Sequence, residues 1–295
     1  MFVGEVAALG TACLWGFSTF MHTDAAKLMG AWPLIVFRMP LVLFYNICIA
    51  VLLGTEWVIP NESIIWISVS GILGLCVADT LLYEGCTRIG ARMGSIIWQM
   101  TPCVTAIVAY LTLGERLSLQ NIAGMLIVIG SVIFVVFKEK SADSVTVTPA
   151  EWRYGFILVL ISVFALGVSH VCIRKGLSYG LDPLIGSIMR ITVPLIGAWL
   201  VVILMGGSKT MFNRVTNSRK AIGIVLVASF FGTTIGNWMA LLAMQYAKAG
   251  IAATLMGMSP FAVIAITAIK ERTFPSSQIL AGVLTACLGS ALLFI

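Results

Sequence analysis

Polar residues are rare enough along this chain to act as punctuation. Between them lie ten apolar runs, at approximately 2–21, 32–53, 64–84, 93–113, 120–137, 154–173, 183–205, 221–245, 250–269 and 277–295. Each approaches the ~20 residues a helix needs to cross a hydrocarbon core. Backbone amides and carbonyls find no water in that core, so each run is expected to close its hydrogen bonds internally as an α-helix. The ten-residue alternating segments of a membrane β-barrel are missing. One clearly polar stretch, Lys138 to Glu151, separates five runs from five. The expected organisation is therefore a first unit at 1–137, a linker at 138–152 and a second unit at 153–295.

The two units share their punctuation. Gly74-x-x-x-Ala78-Asp79 is answered 158 positions later by Gly232-x-x-x-Gly236-Asn237. At the same offset, Met100-Thr101-Pro102 is answered by Met258-Ser259-Pro260, and Ala123-Gly124 by Ala281-Gly282. Gly16-x-Ser18 corresponds to Gly167-x-Ser169 and Arg38 to Arg190, with a one-residue slip between them. Five spans are an odd number, so the second unit must enter the membrane from the opposite face. The expected fold is an all-α membrane protein of ten transmembrane helices, arranged as two inverted five-helix repeats. Such duplication marks secondary transporters, whose site lies between the repeats near the bilayer midplane.

Composition agrees. Hydrophobic residues make up 60% of the chain and charged residues only 10%, against about 25% charged in soluble domains. The net charge of +6 is spread over short loops, which argues for lipid contact and against nucleic acid. Twelve Lys and Arg fall in or beside loops after odd-numbered runs and four after even-numbered ones, which places both termini outside by the positive-inside rule. The start of the chain has no basic region before its apolar run, so it reads as the first membrane helix and not as a signal peptide. Trp32, Trp57, Trp66, Trp152 and Tyr154 sit near run ends, where interfacial aromatics belong. The seven cysteines form no Cys-x-x-Cys pair and only two histidines accompany them. No disulfide framework, metal site or cofactor is expected.

Candidate chemistry is confined to a few positions. Gly74/Ala78, Gly90/Gly94 and Gly232/Gly236 each put two small residues on one helix face, which either packs tightly in lipid or slides during a conformational cycle. Pro102 and Pro260 fall well inside the fourth and ninth runs, where proline removes a backbone donor and crowds the preceding turn. Both should break their helices, and interrupted helices at matching repeat positions point to a transporter's binding site. Gln99, Thr101 and Ser259 stand beside them as hydrogen-bonding groups. Asp79 lies about fifteen residues into the third run, where a carboxylate costs at least ~2.5–3.5 kcal/mol to insert. It needs a cavity, a cation, a proton, or a hydrated position near the interface. Asn237 repeats its shape without the charge. Tyr83, Trp98 and Trp238, with Trp15, are candidate aromatic walls. Arg38 and Arg190 either snorkel, pair across the bundle or grip a substrate carboxylate. His170 is a titratable candidate, and Glu5 an interfacial carboxylate.

Each half thus carries Gly-x-Ser in its first helix, Arg in its second, and Pro before a Glu-Arg turn, Gly114-Glu115-Arg116 and Lys270-Glu271-Arg272. In this the chain resembles the EamA-type ten-helix members of the drug/metabolite transporter superfamily over nearly its full length. The resemblance implies a multi-pass permease of the cell membrane, commonly an exporter of amino acids or other small metabolites. It also implies that Pro102 and Pro260 belong to central helices lining the cavity, and that the termini are cytoplasmic, opposite to the loop count. The Glu-Arg turn comes two residues later in the first half than in the second. The deep glutamate of helix one in four-helix relatives is replaced here by Trp15 and Gly16.

The function expected is alternating-access transport of a small molecule. Asp79 is its charged group, Asn237, Gln99, Thr101 and Ser259 its hydrogen-bonding groups, and an ion gradient (a proton is one option) or the substrate's own gradient its drive. No phosphate-binding loop for ATP occurs. An intramembrane enzyme would need clustered catalytic residues, and a channel a filter loop or charged ring. Neither set is visible.

Overall fold

The computed structural model describes residues 3–113, 118–140, 148–204, 218–246, 255–271 and 276–292, with Asn213 and Val215. All regular structure among these residues is helical. The first half contains α1 (Val3–Met29), α2 (Ala31–Leu53), α3 (Asn61–Gly71), α4 (Asp79–Ile89), α5 (Ala91–Trp98), α6 (Thr101–Leu113) and α7 (Leu119–Lys140). The second contains α8 (Pro149–Leu177), α9 (Pro183–Leu204), α10 (Arg219–Ala228), α11 (Gly236–Tyr246), α12 (Ser259–Glu271) and α13 (Ser277–Leu292). Two π-helical segments, π1 (Ile72–Ala78) and π2 (Ser229–Ile235), join α3 to α4 and α10 to α11.

Seven of the resulting continuous helices are long and apolar enough to cross a membrane. The shorter apolar helices Leu119–Val135, Ser259–Lys270 and Ser277–Leu292 bring the apolar helices described to ten. Large apolar side chains such as Phe44, Leu52, Ile65, Phe164, Ile196 and Leu288 point outward. A soluble protein does not expose so much greasy surface.

Several helices outrun the lengths their apolar cores suggest, α1 and α8 among them. The first run ends at 21, yet α1 continues to Met29, because Thr23 returns its hydroxyl to the Thr19 carbonyl at 2.7 Å and Asp24 finds a cation, Lys270, at 2.5 Å. The sixth run begins at 154, whereas α8 starts at Pro149 behind a capping box. The Thr148 hydroxyl accepts from the Glu151 amide and the Glu151 carboxylate accepts from the Thr148 amide, an arrangement that satisfies helix-end donors. Gly30 and Gly90, with φ of 95° and 85°, each join two helices as single residues, a backbone geometry that L side chains resist.

The packing order positions the site. α1 lies against α10, π2, α11 and α12 of the other half, and α8 lies against α3, π1, α4 and α6. α2 meets α9, and α7 meets α13. Glycines permit these approaches. A Cβ on Gly16 would stand 2.7 Å from the Ser259 carbonyl, and one on Gly167 2.6 Å from the Val104 side chain. With no hydrophobic drive between helices in lipid, such close backbone contact supplies the attraction. The main buried cluster includes Leu34, Ile35, Val36 and Met39 of α2 with Leu82, Ile96 and Ile97.

Candidate functional site

Both prolines begin helices. Trp98 closes α5, Gln99 and Met100 form a turn, and Thr101-Pro102 opens α6. In the second half Gly257 and Met258 form the turn, and Ser259-Pro260 opens α12. Proline is tolerated in a first helical turn because its missing N–H has no intrahelical acceptor there. The breaks therefore fall just before the prolines. The two turns also touch: the Gln99 side-chain amide donates to the Gly257 carbonyl at 3.2 Å, one residue bonding the position that repeats it.

A cavity of about 640 Å³ surrounds this contact. Its lining includes Asp79, Tyr83, Trp98, Gln99, Thr101, Pro102, Asn237 and Ser259, which brings together seven of the eight expected substrate contacts and one of the two prolines. Trp15, Arg38, His170 and Arg190 also line it. Trp238 and Pro260 do not. Trp238 follows Asn237 by about 100° of helix rotation, so with Asn237 on the cavity it packs instead toward Leu184, Ile185 and Ile188. Pro260 is buried behind Ser259 for the same reason.

Among the described lining residues, the exposed ones all lie at the α8–α9 end of the cavity. It reaches exposed residues of the α8–α9 connection, among them Ser178, Gly180 and Asp182. At its other end it stops at a buried polar network. Arg38 donates to Asp79 at 2.5 Å and to the Tyr83 hydroxyl at 3.2 Å. That hydroxyl stands 3.2 Å from His22 Nδ1, which lies 2.9 Å from the Ser18 hydroxyl. Arg38 is 1% exposed and Asp79 8%. Of the options open for Asp79, the cation partner and the cavity are both realised, and the side chain is buried. Arg38 pairs within the bundle and does not snorkel. Beyond the network, Asp24 and Lys270 link α1 to α12.

His22 and Ser18 are the network members that sequence reasoning passed over as chemistry. The available signal was their spacing of four, which sets them one above the other on α1. The π segments were also missed. They carry Gly74 and Gly232, against which Ser169 and Ser18 press, and π-bulges occur often at functional sites. Ser18 donates to the Ala228 carbonyl at 3.5 Å and Ser169 to the Ser70 carbonyl at 2.8 Å. Each serine thus reaches into the opposite half at corresponding positions. Glu5 is not part of the lining. Among the described residues no His, Cys, Asp and Glu group could hold a metal ion.

The sequence profile of the EamA-like transporter family matches residues 2–137 and 153–295, nearly the whole chain. The chain belongs to the EamA-like transporter family. Multi-pass insertion in a membrane follows from that membership together with the apolar helices. The chain is also similar to a probable amino-acid metabolite efflux pump of Escherichia coli (strain K12), with 24% identity over 149 residues. That alignment takes in 50% of this chain and 48% of the pump, so the chain spans about half the length of the curated relative it matches. A solved structure, titled only as the crystal structure of a protein, superposes with a TM-score of 0.70 at 13% identity, covering 98% of this chain and 94% of that one. At that identity the likeness concerns the fold of this EamA-like protein alone.

Proposed function

We propose that this EamA-like protein is a secondary transporter exporting small organic metabolites, such as amino acids, across the cell membrane by alternating access. The units 1–137 and 153–295 act as inverted repeats joined by the linker 138–152, and they rock about the cavity at their junction. The observation that carries this reading is the cavity around two touching helix breaks, one from each half, whose exposed described lining residues all lie at the α8–α9 end. Such a cavity is what one stage of an alternating-access cycle requires.

The reciprocal contacts support the inverted arrangement. Ser18 on Gly232 with Ser169 on Gly74, and Gly16 on Ala262 with Gly167 on Val104, are the same pair of contacts made in both directions. A two-fold relation between the halves produces that exchange. In the cycle, Asp79 with its partners Arg38 and Tyr83 forms the closed end. Gln99, Thr101, Asn237 and Ser259 offer hydrogen bonds, and Trp98 with Trp15 gives apolar walls. The buried network from Ser18 to Asp79 is the place where a coupling proton would act. The relative's name, an efflux pump, favours export and amino-acid metabolites.

Purified protein in sealed vesicles tests the proposal. Saturable uptake that accelerates when unlabelled substrate is placed on the far side is expected. Flux that rises linearly with concentration would identify a channel, and chemical turnover of the solute an enzyme; either would overturn the reading.

A further inference from the structure

We propose that Arg190 is the anchor for a single carboxylate on the transported solute, and that the site selects solutes bearing one carboxylate over their carboxamides, over amines that lack a carboxylate and over phosphate. The proposal rests on the transport reading above and adds to it the recognition chemistry.

Arg190 lines the cavity and is 5% exposed. Its Nη2 donates to the Ser169 hydroxyl at 3.2 Å, its Nε is buried with no partner, and among the described residues no carboxylate pairs with it. Ser169 gives its own proton to the Ser70 carbonyl at 2.8 Å, which leaves its oxygen to accept from the arginine. The seat depends on Gly74. A Cβ there would lie 2.5 Å from Nη2 and 2.6 Å from Ser169 Oγ. Most of the five-donor fork is therefore held in place but unused.

The charge balance points the same way. Among the described residues the deep wall contains two guanidiniums, Arg38 and Arg190, and one carboxylate, Asp79, which is bonded to Arg38. Arg174 and Asp182 belong to the exposed mouth, where Asp182 caps α9 by accepting from the Leu184 and Ile185 amides. One positive charge is left over in a setting of low dielectric, where an unpaired ion is expensive. A carboxylate matches it in charge and in geometry, since guanidinium and carboxylate present parallel pairs of donors and acceptors. A phosphate dianion would exchange an excess of one positive charge for an excess of one negative. An amine without a carboxylate would add a second positive charge. The rest of the wall, Leu75, Leu166, Met256, Trp15 and Trp98, suits an apolar body behind that carboxylate, and the volume suits one small solute.

The test uses the full chain, wild type and as Arg190→Gln and Arg190→Lys, purified in detergent and reconstituted in vesicles. The probes are the twenty common amino acids, the carboxamide and the decarboxylated amine of each one that binds, and inorganic phosphate. Binding is titrated by thermal stabilisation, and flux by counterflow. Wild type is expected to bind at least one amino acid about 30-fold more tightly than its amide, the effect of one charge-assisted interaction. Arg190→Gln should bring the acid-to-amide ratio close to one, and Arg190→Lys should restore part of it, which a purely structural arginine would not do. Equal binding of acid and amide by wild type, preference for amine or phosphate, no binding by any probe, or a ratio preserved in Arg190→Gln would each overturn the proposal. Should Arg190→Gln fail to fold, the wild-type ratio alone decides. Saturable flux of acid and amide alike would remove the anchor and keep the transporter. Arg190-dependent acid binding without flux would do the reverse.

Discussion

Arg38 and Arg190 occupy corresponding places in the two halves, yet among the described residues only Arg38 has a carboxylate bonded to it. In the first half Asp79 meets Arg38, and Tyr83 and His22 extend the network to α1. In the second half the same positions hold Asn237, Leu241 and Ile173, and among the described residues Arg190 is bonded only to Ser169. The helical chassis is shared and the charge is not. Duplication therefore explains where the polar positions lie, whereas the substitutions between copies set their surroundings apart: one arginine is bonded to a carboxylate in the wall, and the other is the anchor proposed above.

Removing the lock should have the largest effect. Asp79→Asn leaves Arg38 buried without a counterion, a loss of about 3–5 kcal/mol. Thermal or denaturant melts should show it, and the double variant Asp79→Asn/Arg38→Gln should recover most of it. Membrane insertion should survive in both, while transport by Asp79→Asn falls. Additive losses in the double variant would mean that the two side chains do not act as a pair.

Making the halves alike is the sharper experiment. Asn237→Asp places a carboxylate on the cavity wall of the second half and cancels its surplus positive charge. Carboxylate binding should weaken by about tenfold with little change in melting, and tighter carboxylate binding would contradict the charge argument. Tyr83→Phe deletes the hydroxyl between Arg38 and His22. The expected destabilisation is about 1 kcal/mol, a single buried hydrogen bond, read from the same melts. Lys270→Ala opens the link to Asp24, whose partners are partly exposed. A change of less than about 1 kcal/mol is expected, fading as salt is raised.

Much of the bundle was legible beforehand because lipid imposes a strict rule on sequence. Ten apolar runs appear as ten apolar helices, with the first part of the ninth run, 250–254, outside the described residues. The break before Pro102 was readable for a local reason, the missing amide. Asp79, Gln99 and Asn237 stood out because polar groups in apolar runs are expensive, and the cavity gathers all three. Trp238 did not follow, since aromatic character says nothing about which way a side chain faces. His22 was overlooked because a lone histidine near a run end carries no periodic signal; its partners, Tyr83 and Ser18, are fixed by helix packing.

Taken alone, the sequence determined the helical character, the number of apolar segments, the duplication and the positions of the helix breaks. Those depend on backbone hydrogen bonding and side-chain transfer into lipid, which act within a segment or repeat along it. The tertiary structure decided that, among the described residues, Arg38 meets a carboxylate and Arg190 does not, that Gln99 bonds its own repeat position across the junction, and that the cavity reaches the exposed α8–α9 connection. Each of these depends on the distance and direction between side chains far apart in the chain, and only close packing at residues such as Gly74 and Gly232 sets them.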